Sequence, residues 1–258
     1  MSASAGSFAA VAHPQPAFLT ASWRYLLMLN YPVDPAALRP FTPPGVELDL
    51  WRGEALVSLV GFLFLDTRLR GVAIPWHRDF EEVNLRFYVR RRDGQAQGGW
   101  RRGVVFVKEI VPRPAIAWVA RLAYGERYVA LPMRHTLWPG ADADAAPSLV
   151  EYAWRHRGRW HRLGARPTGP AQPLVAGSEE AFITEHYWGY ALRRGRTVEY
   201  AVEHPPWRVW QVADAWFVGD AGRLYGAAFA EALAAPPASA FLAEGSPVTV
   251  RRGSQLDG

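Results

Sequence analysis

The sequence predicts a mainly β protein, a barrel or sandwich with a few helices laid outside it. Three features carry that reading. Runs of Val, Leu, Tyr, Phe and Trp, bounded by Gly, Pro, Asn and Asp, recur along the chain. Several of them alternate apolar with polar residues, the period of a strand, and helical spacing shows only in short segments. Half of the 258 residues are hydrophobic and 13% are aromatic. That suffices for a sizeable core in one domain, and no internal repeat or linker divides it.

In chain order, residues 1–20 (MSASAGSFAAVAHPQPAFLT) lack a charged start and a long apolar run, so they read as a loose arm and not as a signal peptide. A single domain is expected over 21–252 and a tail over 253–258. Trp23–Tyr31 is a strand. Asp34 caps a short helical turn that has Pro35 at its first position. Val46–Trp51 and Glu54–Leu65, joined by Arg52–Gly53, read as a hairpin. Glu81–Arg91 alternates, and Gly103–Ile110 follows after a turn containing Asp93–Gly94. Pro114–Tyr124 has helical spacing and a C-terminal glycine, Gly125. Leu131–Trp138, Val150–His156 and Trp160–Arg166 form a meander. The Pro/Gly-rich passage Gly164–Gly177 reads as a long loop. Ser178, followed by Glu179 and Glu180, caps a helix that runs to Tyr187. Thr197–Glu203 and Val209–Val218 read as a strand pair, Ala221–Leu233 as an alanine-rich helix, and Ser246–Arg252 as a last strand. Roughly ten strands and three helices make a barrel or sandwich the natural architecture.

Composition excludes several functions. The chain has no cysteine, which rules out disulfides, Cys-bound zinc, iron–sulfur clusters and a thiol nucleophile. No apolar stretch reaches the ~18 residues of a membrane helix, and a soluble cytoplasmic protein is expected. The net charge is +5, but its arginines fall in scattered pairs with no basic helix, so nucleic acid is not an expected partner. The seven histidines form no HxH, HExxH or other metal-binding spacing. His156 and His161 flank a turn and can approach each other. There is no G-x-S-x-G, P-loop or G-x-G-x-x-G. Neither metal nor cofactor is expected.

The segment that carries chemistry is Phe80-Glu81-Glu82-Val83-Asn84-Leu85-Arg86-Phe87-Tyr88-Val89. On a strand, Val83, Leu85, Phe87 and Val89 share one face and Glu82, Asn84, Arg86 and Tyr88 the other, spaced about 6.6–7 Å apart. An acid, an amide, a guanidinium and a phenol in a row can donate to and accept from one small polar ligand. The residues alone leave two plainer readings open, a solvated outer face and a structural Glu82–Arg86 ion pair.

The same ten residues resemble a signature of the YqjF-like family of uncharacterised proteins, related in fold to acetoacetate decarboxylase. Trp23-Arg24-Tyr25-Leu26-Leu27, Trp51-Arg52-Gly53-Glu54-Ala55-Leu56, Phe182-Ile183-Thr184-Glu185-His186-Tyr187 and His204-Pro205-Pro206-Trp207 resemble other stretches of that family in the same order, over about residues 20–230. The resemblance implies an acetoacetate decarboxylase-like β-barrel with a closed cavity and with the polar face of 80–89 turned toward it. Glu82 then matches an active-site glutamate of the decarboxylases. Their Schiff-base lysine has no counterpart: the matching stretch, from Ala120-Arg121-Leu122 to Leu131-Pro132-Met133-Arg134, holds none. The only lysine of the chain is Lys108, expected at an exposed strand end beside Glu109, and arginine does not form the imine.

The expected function is therefore binding or transformation of a small oxo- or carboxylate-bearing metabolite in an enclosed polar cavity, without an imine. Glu82 would act as acid/base, Arg86 would meet the anion, and Asn84 and Tyr88 would orient it. Arg121, in the apolar helix 114–124, either reaches solvent or faces the cavity as a further anion partner. A non-catalytic carrier or sensor, and a structural homo-oligomer, stand as the alternatives.

Overall fold

Extended backbone follows the apolar runs. The computed structural model describes residues 15–140 and 145–256; residues 1–14 of the expected arm and 257–258 of the expected tail lie outside them. Its strands are β1 (Ala17–Val33), β2 (Glu47–Leu48), β3 (Ala55–Leu69), β4 (Val72–Ala73), β5 (Phe80–Arg92), β6 (Trp100–Val111), β7 (Tyr128–Ala130), β8 (Met133–Trp138), β9 (Leu149–His156), β10 (Arg159–Gln172), β11 (Trp188–Arg193), β12 (Arg196–Glu203), β13 (Val209–Val218), β14 (Ser239–Arg251) and β15 (Ser254–Gln255). The helices are α1 (Pro35–Leu38), α2 (Pro114–Tyr124), α3 (Glu179–Thr184), α4 (Ala221–Tyr225) and α5 (Ala230–Ala234). β1 thus begins inside the stretch expected as an arm, and β15 inside the expected tail.

Seven strands close a ring. Their order is β12, β11, β6, β5, β3, β1, β14, and β12 returns to β14 through Val202–Val250 and Glu203–Thr249. All neighbours are antiparallel except β11 and β6. From β14 the sheet continues as β13, β10, β9 and β8, which fold over the ring. The two faces of β5 therefore both find cover. Val83, Leu85, Phe87 and Val89 pack outward with Val150, Tyr152, Trp154 and Leu163 of the second sheet. The other face of β5 meets the inside of the ring, where Met28, Val60, Phe62, Phe64 and Tyr88 form a second apolar cluster. The layers touch closely at Gly61, where a Cβ would stand 2.5 Å from the ring of Tyr152. The Tyr152 hydroxyl donates to the Tyr25 carbonyl at 2.8 Å.

β6 carries a bulge that matters below. Leu85 pairs with Lys108 but Arg86 with Phe106, so β6 has one residue more than β5 there. Val104 and Phe106 face the ring interior and Val105 and Val107 face outward. After the extra residue the alternation resumes out of step, with Glu109 inside and Ile110 outside.

Several local expectations change in the structure. The 164–177 passage is not a loop throughout: β10 runs to Gln172, and its prolines sit where pairing with β13 slips, at Arg166/Pro167 and again before Gln172. Strands 197–203 and 209–218 do not pair with each other, because β14 bonds to both; Pro205 and Pro206 bar a tight hairpin between them. The 46–65 hairpin keeps its turn, with Trp51 bridged to Glu54, but β2 pairs with β5. The alanine-rich helix breaks into α4 and α5 around Gly226, whose φ is 111°. The two cleanest hairpin turns, Arg157–Gly158 and Arg194–Gly195, have positive φ at both residues, the geometry whose twist matches antiparallel strands. α2 and its Gly125 cap stand as expected, as do the Asp34 and Ser178 caps.

Candidate functional site

All seven ring strands contribute side chains to a cavity of about 180 Å³. For scale, engineered cavities of about 150 Å³ accept benzene. Most of its wall is apolar: Leu19, Trp23, Leu26, Phe62, Phe64, Val104, Phe106, Trp188, Val202, Trp207 and Val250, with Ala115, Ile116 and Val119 of α2. Into this wall are set Glu82 and Arg86 from β5, Glu109 from β6, Glu126 and Tyr128 beside and on β7, Tyr200 from β12, and His186 and His204. The polar groups are thus a minority, where a polar cavity was expected.

The three glutamates are all buried. Asn84 Nδ2 donates to Glu82 Oε1 at 3.0 Å and the Tyr128 hydroxyl to Glu82 Oε2 at 3.1 Å. The Tyr200 hydroxyl donates to Glu126 Oε1 at 2.7 Å. Glu109 Oε2 has no partner. Burial disfavours the charged forms. It pushes the Glu82 carboxyl up to about 7, against the pull of Asn84, Tyr128 and Arg86. Glu126 is pushed up to about 8 by burial, with Glu82 adding repulsion. Glu109 rises well above the usual range through burial and the neighbouring Glu126 and Glu82.

Arg86 stands in contrast. Only 8% exposed, it forms no ion pair with a carboxylate among the described residues. Its Nη2 lies 3.7 Å from the Met28 sulfur and its Nε has no partner. The Glu82–Arg86 ion pair weighed from the sequence does not form, although Arg86 still draws the Glu82 carboxyl downward at longer range. Nearby, His186 Nε2 lies 3.2 Å from Asp49 Oδ2, which Arg102 also holds at 2.6 Å. Burial lowers the His186 pKa to about 4, so the ring is neutral near pH 7. Donation to Asp49 leaves its unpartnered Nδ1 as an acceptor. His204 stacks on Trp207, ring centres 4.0 Å apart, and is likewise lowered to about 4 by burial.

The structure brings together only part of the set named from the sequence. Glu82 and Arg86 line the cavity. Asn84 shares their face but stands behind Glu82 as its hydrogen-bond donor. Tyr88 turns into a buried chain in which its hydroxyl meets Ser58, Ser58 meets Asn30 at 2.6 Å, and Asn30 meets Ser239 at 2.9 Å. Arg121 is on the exposed side of α2, where its Nε donates to the Tyr128 carbonyl at 2.7 Å, so it does not join the cavity. Lys108 is neither at an exposed strand end nor paired with Glu109. The bulge turns it outward, half-buried, with Nζ bonded to the Leu224 carbonyl. His156 and His161 approach, ring centres 6.1 Å apart, but no group of three His, Asp or Glu suited to a metal occurs among the described residues.

The sequence reading missed Glu109, Glu126, Tyr128 and Tyr200. Strict alternation from Val104 and Phe106 selects Lys108, and only the bulge puts Glu109 inside. Glu126 and Tyr128 fall on a connection and a three-residue strand, too short to show a period.

The raised carboxyls make a pH prediction. Below about pH 4.5 Glu126 is protonated in both folded and unfolded chains. Between there and about pH 8 only the folded chain holds the proton, so the Glu126 contribution to stability is lost as pH rises. His186 and His204 act oppositely, but only from about pH 4 to 6.5. From pH 6.5 to 8, Glu126→Gln is expected to remove a loss of up to about 1.4 kcal/mol per pH unit while keeping an acceptor for Tyr200. Urea unfolding at a series of pH values checks this; parallel wild-type and variant profiles would contradict it.

Comparison with known proteins agrees with the fold. The model of the DUF2071 family, described as "Uncharacterized conserved protein", matches residues 20–247. The uncharacterized protein YqjF of Bacillus subtilis is 25% identical over 187 residues, 72% of each chain. Among solved structures, the enduracididine biosynthesis enzyme MppR with HEPES buffer bound aligns with a TM-score of 0.65 at 15% identity, over 95% of this chain and 89% of that one. Acetoacetate decarboxylase from Legionella pneumophila aligns with a TM-score of 0.65 at 13% identity, over 95% and 90%. The pyruvate complex of MppR aligns at 0.63 and 15% identity, over 96% and 93%. The fold is mainly β and acetoacetate decarboxylase-like. No helix among the described residues is long and apolar enough to cross a membrane.

Proposed function

The chain belongs to the DUF2071 family, and from that membership and the charges in its cavity we propose that it binds, and through Glu82 transforms, a small oxo compound carrying a carboxylate. The observation that carries this is Arg86. A guanidinium held in an apolar wall without an ion pair costs free energy that its contacts with Met28 and Tyr88 recover only in part. A ligand carboxylate recovers it, and Arg presents a planar fork to such a group. The MppR complex with pyruvate shows that a protein of this fold takes a small oxo acid, which supports the reading without assigning the same ligand here.

A Glu82 carboxyl pushed up to about 7 can either give or take a proton near neutrality. Asn84 and Tyr128 fix its two oxygens. The apolar wall excludes water and so strengthens the charges around a bound carbonyl. An imine has no part in this scheme, because the only lysine lies outside the cavity. The test has two arms. Small oxo acids and carboxylates at millimolar concentration should raise the melting temperature, and their neutral amides should not; no stabilisation by any acid would refute the reading. Borohydride with acetoacetate should leave the protein mass unchanged, and an adduct mapped to Lys108 would overturn the non-imine scheme.

A further inference from the structure

We propose that the ligand of this cavity has a second, cationic end: an aliphatic amino acid whose carboxylate meets Arg86 and whose ammonium group meets Glu109 and Glu126. This rests on the carboxylate reading of Arg86 above. The cavity sorts its charges. Arg86 bears on His186, His204 and Tyr88, while Glu126 bears on Glu109 and Arg127 draws the Glu126 carboxyl downward at longer range. Glu82 lies between, influenced by Arg86 and acting on both other acids. The acidic side is built for a donor that the protein lacks. Tyr128 and Tyr200 supply hydroxyl donors to it, yet Glu109, 2% exposed, keeps one oxygen without any partner. No Arg or Lys pairs with Glu82, Glu109 or Glu126 within ion-pair distance among the described residues. An ammonium brings three donors and a positive charge to a buried carboxyl oxygen that has no donor of its own. The aromatic and aliphatic wall between the two sides suits a methylene chain.

The proposal also fixes what happens to protons. Burial favours the protonated form of Glu109 and Glu126, and an incoming ammonium is already protonated in water. Pairing the two requires one carboxyl to ionise, so its proton passes to the buffer. An oxo acid or a simple carboxylate asks for no such release.

Calorimetric titration of straight-chain carboxylates and their ω-amino counterparts, from four to six carbons, in two buffers of different ionisation enthalpy tests this. At the best chain length the ω-amino acid should bind roughly tenfold tighter or more, with about one proton released per ligand. Glu109→Gln and Glu126→Gln should each remove most of that advantage and the proton release, leaving the simple carboxylate within about threefold of its original affinity. Simple carboxylates binding as tightly at every length would overturn the proposal while leaving the Arg86 reading intact. An amino advantage that survives both substitutions would remove it from these two glutamates. If neither series binds, the Arg86 reading itself fails and this proposal falls with it.

Discussion

Arg86→Ala is expected to weaken binding of a small carboxylate by roughly thirtyfold to several thousandfold, equivalent to about 2–5 kcal/mol for a desolvated charge pair. The loss combines a missing charge-assisted hydrogen bond with a ligand carboxylate left underpaired in an apolar wall. Arg86→Lys should restore only part, since an ammonium cannot reproduce the planar fork. Stability should respond in the opposite sense. Because Arg86 makes no ion pair, its removal relieves an uncompensated buried charge, and the ligand-free protein should melt no lower than wild type. A structural Glu82–Arg86 pair would give the reverse pattern: each single variant less stable, the double variant recovering much of the loss, and affinity unchanged. A double-mutant cycle read by thermal unfolding and by titration separates the two, and that reverse pattern would refute the anion site.

The second large effect belongs to the layer outside the ring. Tyr152→Ala should cost about 3–5 kcal/mol in urea unfolding, with little change in the denaturant slope. Tyr152 is fully buried, its ring fills the space that Gly61 leaves open, and its hydroxyl satisfies the Tyr25 carbonyl. β3 cannot settle onto the gap, because β1 and β5 hold it on either side, so the void remains. Below saturation the variant should still bind carboxylate near its wild-type affinity, since Tyr152 is on the far side of the sheet from Arg86. A cost under about 1 kcal/mol would mean that the second sheet relaxes into the space.

These two residues mark what the sequence made legible. The two-faced character of β5 could be read from its alternation, and an acetoacetate decarboxylase-like barrel from the ordered motifs. Arg86 and Glu82 follow from that register. Tyr88 and Asn84 share it, but same-face position does not decide which side chains reach open space. Ser58 and Asn30, from β3 and β1, capture Tyr88, and no pattern within 80–89 contains them. Arg121 shows the limit of helical spacing: an apolar helix tolerates one arginine when the guanidinium can reach a nearby carbonyl at its rim. The second sheet is only partly legible, because prolines in β10 look like a loop until the slips in its pairing are known.

The extra residue in β6 decides which titratable side chain that strand gives to the interior. Without it, unbroken alternation would carry Lys108 inward and Glu109 outward, placing an amine beside Glu82 where a third carboxyl now stands. The interior would then hold an amine, a group able to attack carbonyls, where the present one holds a third buried carboxyl. These two chemistries differ by one position of backbone phase, with no change in which residues the strand contains.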